Sequence, residues 1–220
     1  MSLLRLPSGE YRLTENGVPC VVPGVTRVLS LLRPYANVRG DTLISAQRRG
    51  QAAHRAIHLL EGGGDGSGLE WASVDPRILP YVQAWEKFKA ETKWRTILTE
   101  VPMASARFRY GCTPDLLGEI NARLIVLDIK SGQGPLVALQ TAAQAQAINE
   151  TKRLHGKPKR YSLFLTSRGT SRLHEHADPA DFPTFTALLQ IYQWLARFQP
   201  KLIPEEIEAD YANFEEVLGG

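Results

Sequence analysis

The chain has 220 residues, of which 43% are hydrophobic and 22% are charged, a composition typical of a soluble globular protein. No apolar run approaches the roughly 20 residues that a membrane span requires, and the first ten residues lack the basic and then apolar order of a signal peptide. The two cysteines, Cys20 and Cys112, allow at most one disulfide and cannot supply the ligands of a protein-held iron–sulfur cluster. We therefore expect a cytoplasmic protein with free thiols.

The net charge of +3 conceals an uneven distribution along the chain. Residues 205–216 contain six acidic residues and no basic residue, so the rest of the chain has 26 basic and 17 acidic residues, a net charge of +9. A basic excess of this kind favours a polyanionic partner such as DNA. Alone it is weak evidence, because many basic proteins bind no nucleic acid.

The N-terminal part of the chain predicts a hairpin and a short helix. Strands over residues 11–13 and 20–22 flank Asn16-Gly17, a pair typical of tight hairpin turns. Thr26 is a candidate N-cap for a helix that runs to Leu32. We assign residues 1–40 to this N-terminal portion.

Two further helices are expected before the middle of the chain. The first begins after a candidate N-cap at Asp41, runs to about Glu61 and is followed by a glycine-rich loop over residues 62–68. The second begins at Pro76. Its apolar face is expected to contain Ile78, Val82, Trp85 and Phe88. The four tryptophans are expected in or near the core (Trp71, Trp85, Trp94 and Trp194).

The middle of the chain changes to strand periodicity and then returns to helix. The predicted strands cover residues 97–103, 107–110 leading into 116–120, 123–129, 160–166 and 172–176. A helix over residues 137–154 separates the third strand from the fourth, and a last helix covers residues 181–198. Because a helix between neighbouring strands is the usual crossover of a parallel pair, we expect an α/β fold with a mixed central sheet flanked by helices. The core would span residues 41–200 of a single domain, with an acidic tail over residues 201–220.

The residues that carry chemistry lie on two successive strands. Asp115 stands where one strand begins, and Asp128 and Lys130 stand at the end of the next, on the same face because they alternate with Ile129. The preceding residues 124–127 are apolar, so charge is placed at the edge of a dry core. Two carboxylates in such a place suit a hard divalent cation such as Mg²⁺ or Mn²⁺. Such a cation lowers the pKa of bound water and neutralises a phosphodiester, and Lys130 would stabilise the transition state.

Each candidate site residue also has an ordinary structural explanation. Taken alone, Asp128-Ile129-Lys130 is more typical of a structural ion pair, because motifs this short recur by chance. His54 and His58, four residues apart on one helix, fit a half-buried and a surface histidine. Glu100, within a strand, is more typical of a solvent-facing residue.

Taken together, four motifs in order resemble the PD-(D/E)XK nuclease superfamily, in particular its RecB-like and phage exonuclease branch. The signature Pro114-Asp115 is followed by a hairpin and by Asp128-Ile129-Lys130-Ser131-Gly132. Gly111 precedes the hairpin in the Gly-x-x-x-Asp form. The remaining motifs are Leu139-Gln140-Thr141-Ala142-Ala143 and Gly50-Gln51-Ala52-Ala53-His54. The resemblance spans residues 25–166.

The resemblance implies a role for each matched residue. Asp115, Asp128 and the carbonyl of Ile129 would bind metal, and His54 would be a further ligand, helped by the close helix approach that Gly50 allows. Lys130 would be catalytic and Gln140 would shape the site. Some relatives also place an acidic residue near the metal in the region of Glu100. One departure is Gln144, where the family often has a tyrosine that contacts substrate.

Basic residues near these motifs are candidate phosphate contacts, although a solvated basic face is the ordinary explanation for such clusters. They are Arg48, Arg49, Arg55, Lys152, Arg153 and Lys157.

The sequence as a whole predicts a DNA nuclease of low sequence specificity that depends on Mg²⁺ or Mn²⁺. By analogy with the family it would be an exonuclease of recombination or repair in a phage or bacterial cell. The alternative is a nucleic-acid-binding or scaffold protein that retains the fold and does not cleave.

Overall fold

The structure is a computed structural model that describes residues 2–32, 40–62, 68–132, 134–151 and 157–204. The strands are β1 (Ser2–Arg5), β2 (Tyr11–Glu15), β3 (Val18–Val22), β4 (Arg95–Thr99), β5 (Met103–Ser105), β6 (Tyr110–Cys112), β7 (Leu116–Ile120), β8 (Arg123–Lys130), β9 (Lys159–Leu165) and β10 (Ser171–Glu175). The α-helices are α1 (Val25–Leu29), α2 (Gly40–Leu60), α3 (Leu79–Thr92), α4 (Val137–Glu150) and α5 (Asp181–Phe198). Short 3-10 helices cover Ser30–Leu32, Trp71–Ser73 and Pro200–Leu202.

The central sheet has five strands in the order β10-β9-β8-β7-β4. The pair β8 and β9 is parallel, whereas the other three pairs are antiparallel. Helix α4 lies between β8 and β9 in the chain and packs on both, as the crossover of a parallel pair must. The prediction of a mixed α/β sheet flanked by helices is therefore confirmed.

Each face of the sheet carries its own apolar core because side chains alternate along a strand. One cluster joins Ile125, Leu127 and Ile129 of β8 to α2 and α3, and the other joins Val126 to α1, α4 and α5. The predicted apolar face of α3 is buried as expected. Among the helices described, none is long and apolar enough to cross a membrane.

The N-terminal hairpin is confirmed. Strands β2 and β3 pair up to Glu15 opposite Val18, and Asn16 and Gly17 both have positive φ, as a tight turn between twisted strands requires. Strand β1, which the sequence patterns did not predict, adds to the outer side of β2. The cysteines are not disulfide-bonded.

The prediction of a single strand over residues 97–103 is wrong, because the strand is interrupted at Glu100. This residue has a φ of 48°, in the left-handed region, and it separates β4 from β5. Strand β5 then pairs with β6 in a two-stranded ribbon instead of joining the central sheet. The predicted strand over residues 107–110 begins only at Tyr110.

Two predicted helix starts are also wrong. Helix α1 begins at Val25 with Gly24 as its N-cap, so Thr26 lies inside the helix. Helix α3 begins at Leu79, because residues 75–78 form a turn closed by the Ile78 amide on the Asp75 carbonyl. By contrast, α5 has the predicted bounds.

Two of the four tryptophans are not core residues. Trp85 and Trp94 are buried and pack edge to face, whereas Trp71 and Trp194 are each about half exposed. The predictions for the loop over residues 63–67, the Asp41 side chain, Lys152, Arg153 and the tail over residues 205–220 lie outside the described residues.

Candidate active site

The two predicted acids converge at one end of the central sheet. Asp115 directly precedes β7, and its carboxylate Oδ2 accepts the backbone N–H of Ile129 at 2.7 Å. Strands β7 and β8 are antiparallel, with Leu116 opposite Leu127, so the start of one lies beside the end of the other. The hairpin that joins them turns at Asn121 and Ala122, both with positive φ, as the predicted tight link requires. This register brings Asp115 next to the Asp128–Lys130 segment.

Asp128 is the most enclosed charged group of this cluster. Its side chain is 0% exposed, and its Oδ2 lies 2.6 Å from the Lys130 Nζ. Helix α4 supplies the second contact, because the amide of Gln140 donates to Asp128 Oδ1 at 2.6 Å. The Lys130 side chain is 22% exposed, whereas the Asp128 carboxylate that it pairs with is fully buried.

Helix α2 places His54 over the same strand end. The imidazole Nε2 donates to the Ile129 carbonyl at 2.8 Å, and Nδ1 lies 3.5 Å from Asp115 Oδ2. Gly50, one turn earlier, sits so close to Ser131 that a β-carbon there would lie 3.1 Å from the Ser131 hydroxyl. The expected close approach of this helix at Gly50 is therefore confirmed.

The surroundings shift the pKa values of Asp128 and Asp115 in opposite directions. Burial raises the pKa of Asp128 to about 6, against the opposing charge of Lys130 and with a further upward contribution from the Asp115 carboxylate. Burial alone would also raise the pKa of Asp115, but the charges of His54 and Lys130 and the Ile129 N–H outweigh it, so that pKa is lowered. The paired His54 has a raised pKa, because the attraction of Asp115 exceeds the cost of burying a cation.

The donor set at this strand end fits a hard divalent cation. It comprises the carboxylates of Asp115 and Asp128 and the carbonyl of Ile129, which are oxygen donors of the kind that Mg²⁺ and Mn²⁺ prefer. A buried carboxylate with a raised pKa is a group that a cation would stabilise. Within the described ranges, however, no three His, Cys, Asp or Glu side chains are already arranged as a metal cage. Instead, the His54 imidazole donates a hydrogen bond to the Ile129 carbonyl, so these two predicted metal ligands are hydrogen-bonded to each other.

Glu100 and His58 form a second, neighbouring pair. The Glu100 amide donates to the Asp115 carbonyl at 3.1 Å, but its side chain turns to His58, whose Nδ1 lies 3.7 Å from the Glu100 carboxylate. His58 also contacts the Thr99 hydroxyl at 2.9 Å and is only 11% exposed. The expectation of a surface His58 is therefore wrong, and Glu100 touches the centre through its backbone.

The predicted phosphate-binding residues separate into two places. Arg48, Arg49 and Arg55 lie on α2, the helix of His54, with Arg48 and Arg55 exposed. Lys157 precedes β9, whose first residue pairs with Ile125 near the start of β8. Lys130 lies five residues further along β8, about 16 Å away, so Lys157 sits at the opposite end of the sheet from the acids.

Three features near the centre were missed or misread in the sequence. The Tyr11 hydroxyl lies 2.8 Å from the Thr113 hydroxyl, so the N-terminal sheet braces the segment that leads to Asp115. Gly111 is required because the Tyr11 ring occupies the space that a side chain would need. Gln144, where the resemblance led us to expect a substrate-contacting tyrosine, is 2% exposed and therefore faces the core. A contact over 102 residues of sequence leaves no local pattern to detect.

Comparisons with known proteins identify no family for the chain. No family model matches it, and no curated protein matches it. Among solved structures it matches the crystal structure of SSO0001, with 15% sequence identity over 77% of this chain and 85% of that one, and a TM-score of 0.34. A similarity of this size carries no argument about function.

Proposed function

We propose that the chain is a metal-dependent DNA nuclease of the PD-(D/E)XK type. The observation that carries the proposal is the convergence of Asp115, Asp128, Lys130 and the Ile129 carbonyl at one buried strand end. A structural ion pair needs one acid and one base. A second carboxylate beside the first raises the cost of the site, and such costs are typical of functional centres.

Asp115, Asp128 and the Ile129 carbonyl would hold the cation. When bound, Mg²⁺ or Mn²⁺ supplies Lewis-acid chemistry, by neutralising charge on the phosphodiester and acidifying water. Lys130, whose side chain is 22% exposed, would donate hydrogen bonds to the attacked phosphate as its negative charge develops. Gln140 would hold the orientation of the Asp128 carboxylate through its bond to Oδ1.

The proposed substrate is DNA, attacked from its ends and with low sequence specificity. Arg48, Arg49 and Arg55 on α2 would contact backbone phosphates, which provide binding without reading sequence. Helix α2 also covers the catalytic strand end, so a strand terminus would enter more easily than a continuous duplex. A role in phage or bacterial recombination or repair follows from the family analogy alone.

The test is degradation of DNA by the purified full chain. We expect linear DNA to disappear with Mg²⁺ or Mn²⁺ and to persist with Ca²⁺, which tolerates irregular geometry and positions water poorly. Asp115→Asn and Asp128→Asn should abolish degradation and retain DNA binding, since phosphate contacts elsewhere supply most of the affinity. A folded chain that binds DNA and never cleaves it would overturn the proposal in favour of the non-cleaving scaffold.

End dependence is tested on the same gel with a covalently closed circle of the same sequence. We expect the linear form to be shortened progressively while the circle persists. Linearisation of the circle as fast as the linear form disappears would replace the exonuclease by a non-specific endonuclease.

A further inference from the structure

Helix α5 has large apolar side chains on two of its sides. The side that packs on the core contains Phe185, Leu189 and Tyr192. A second row consists of Ile191, Trp194 and Phe198, which are three and four residues apart and therefore neighbours along one side of the helix. A surface helix of a globular protein normally has one apolar side, which faces the core. The second row is therefore a candidate interaction surface.

The residues of this second row, which we call the α5 stripe, form an exposed apolar patch. Ile191, Trp194 and Phe198 are each slightly more than half exposed. The rings of Trp194 and Phe198 lie 5.6 Å apart, so they form one continuous surface. Because a large side chain presents about 150–250 Å², three that are half exposed offer about 300 Å². Patches of this size on a monomer are often functional.

The C-terminal segment of the chain starts beside the α5 stripe. The 3-10 helix Pro200–Leu202 follows α5 directly, Ile203 is buried, and the Pro204 carbonyl accepts a hydrogen bond from Arg27 at 2.9 Å. The chain is thus anchored at the end of α5 where Phe198 lies, and residues 205–220 follow. The stripe is about 10 Å long at 1.5 Å per helical residue, so a segment of this length spans it even in a helical conformation.

The sequence of this segment has an apolar pattern that matches the stripe. Ile207, Tyr211, Phe214 and Leu218 are four, three and four residues apart, which places them on one side of a helix. The six acidic residues of the segment fall outside this row. A helix of this length is marginal in water unless an apolar surface packs against it, and the α5 stripe is the nearest such surface along the chain.

The charges beside the stripe also suit an acidic segment. Residues 182–202 contain two basic residues, Arg197 and Lys201, and no acidic residue. Both basic side chains are exposed, and the Arg197 guanidinium lies over the Phe198 ring at 4.9 Å. Opposite charges at the edge of an apolar contact favour the correct pairing of two surfaces.

The size of the stripe favours a tethered segment over a second copy of the chain. Stable interfaces between separate proteins bury about 800 Å² on each partner, well over twice what the stripe offers. A segment attached through a short connection has an effective concentration on the order of millimolar, so a smaller contact is sufficient.

We propose that residues 205–218 pack along the α5 stripe, with their row of four apolar side chains against Ile191, Trp194 and Phe198. The six carboxylates would then lie on the α5 side of the central sheet, whereas the arginines of α2 lie on the other side. The inference is independent of the proposed nuclease function, because none of the proposed catalytic contacts involves α5.

The test is hydrogen–deuterium exchange of the full chain, measured by mass spectrometry on peptides that cover residues 205–218. We expect these amides to exchange at least about tenfold more slowly than in an unstructured chain. Phe214→Asp and Trp194→Asp each place a charge in the contact and should abolish this protection. The amides of β8, measured in the same experiment, verify that each variant is folded.

The matched controls add the same charge outside the contact. Ala209→Asp alters the segment on the side opposite its apolar row, and Gln193→Asp alters an exposed position of α5 beside Trp194. Both controls should exchange as the wild type does. Exchange of residues 205–218 at the unstructured rate in the wild type would overturn the proposal. Protection that survives Trp194→Asp would also overturn it, because the segment would then bind elsewhere.

Dilution distinguishes the tethered segment from a second copy. Protection that arises within one chain is independent of concentration, and sedimentation velocity should show a monomer whose protection is unchanged on dilution. Protection that falls on dilution together with the loss of a dimer would assign the stripe to another copy of the chain and overturn the proposal.

Discussion

Two buried carboxylates, Glu61 and Asp128, have nearly the same local chemistry and different surroundings. Glu61 follows α2 and is 2% exposed, and its carboxylate accepts from the Lys89 ammonium at 2.7 and 3.0 Å. Trp85 and Thr96 donate to it at 2.9 and 2.5 Å. The Glu61 carboxylate accepts all of these hydrogen bonds, and no second acid contacts it among the described residues.

The Asp128 carboxylate contacts one lysine and one side-chain amide, and a second acid lies near it. The Lys130 ammonium and the Gln140 amide bind its two oxygens, while the Asp115 carboxylate helps to raise its pKa to about 6. The comparison teaches that a buried acid–lysine pair is not by itself a sign of function. Convergence of like charges at one strand end is what separates the candidate centre from the structural one.

The largest expected contrast is between the two lysines. Lys130→Ala should reduce DNA cleavage by about 100-fold or more, because it removes a donor aimed at developing charge. Lys89→Ala should leave the cleavage rate of the folded chain near that of the wild type. Initial rates on linear DNA at saturating Mg²⁺ measure both. Near-normal cleavage by folded Lys130→Ala would break the distinction between the two carboxylates.

A smaller contrast is expected between the two histidines of α2. His54 contacts the Ile129 carbonyl and lies 3.5 Å from Asp115, whereas His58 contacts Thr99 and Glu100. His54→Ala should therefore weaken metal binding by about 10-fold or shift the preference between Mg²⁺ and Mn²⁺. His58→Ala should change neither, and metal titrations of activity compare the two. If His54→Ala and His58→Ala gave the same metal titration curve, the role of His54 would be structural.

The smallest contrast concerns stability without metal. Glu61→Gln should lower the free energy of unfolding by about 2–3 kcal/mol, because donors to a buried charge lose their acceptor. Asp128→Asn should leave it unchanged or raise it at pH 8, since a raised pKa makes the ionised acid unfavourable in the folded state. Urea unfolding compares the variants.

The pH dependence of this effect has a fixed sign. The folded chain holds the Asp128 proton more tightly than the unfolded chain does, so wild-type stability from this group falls as the pH rises from about 4 through about 6. The advantage of Asp128→Asn should appear over that range and persist above it. A loss of stability in Asp128→Asn at pH 8 as large as in Glu61→Gln would make both acids structural.

Local patterns predicted the elements that hold the candidate centre. The turn at Asn121 and Ala122 and the alternation of Asp128 with Lys130 are properties of neighbouring residues, and they place the acids correctly. The bounds of α5 follow from its periodicity for the same reason.

The errors lie where distant residues decide the local structure. At the interruption between β4 and β5, the Glu100 N–H donates a hydrogen bond to the Asp115 carbonyl, and Thr113 is braced by Tyr11, far away in the sequence. The bond between His54 and the Ile129 carbonyl spans 75 residues. The sequence motifs predict that His54 and the Ile129 carbonyl are both metal ligands, but they do not show that the two groups contact each other. Such contacts become visible only when the sheet and α2 are assembled.

The central claim is that Asp115 and Asp128 together hold a divalent cation, and Mn²⁺ binding by calorimetry tests it most directly. We expect the wild type to bind Mn²⁺, and Asp115→Asn and Asp128→Asn each to weaken that binding at least tenfold, because each removes a carboxylate ligand. Glu61→Gln, which removes an equally buried carboxylate elsewhere, should bind Mn²⁺ as the wild type does. Undiminished Mn²⁺ binding in the two aspartate variants would contradict the account.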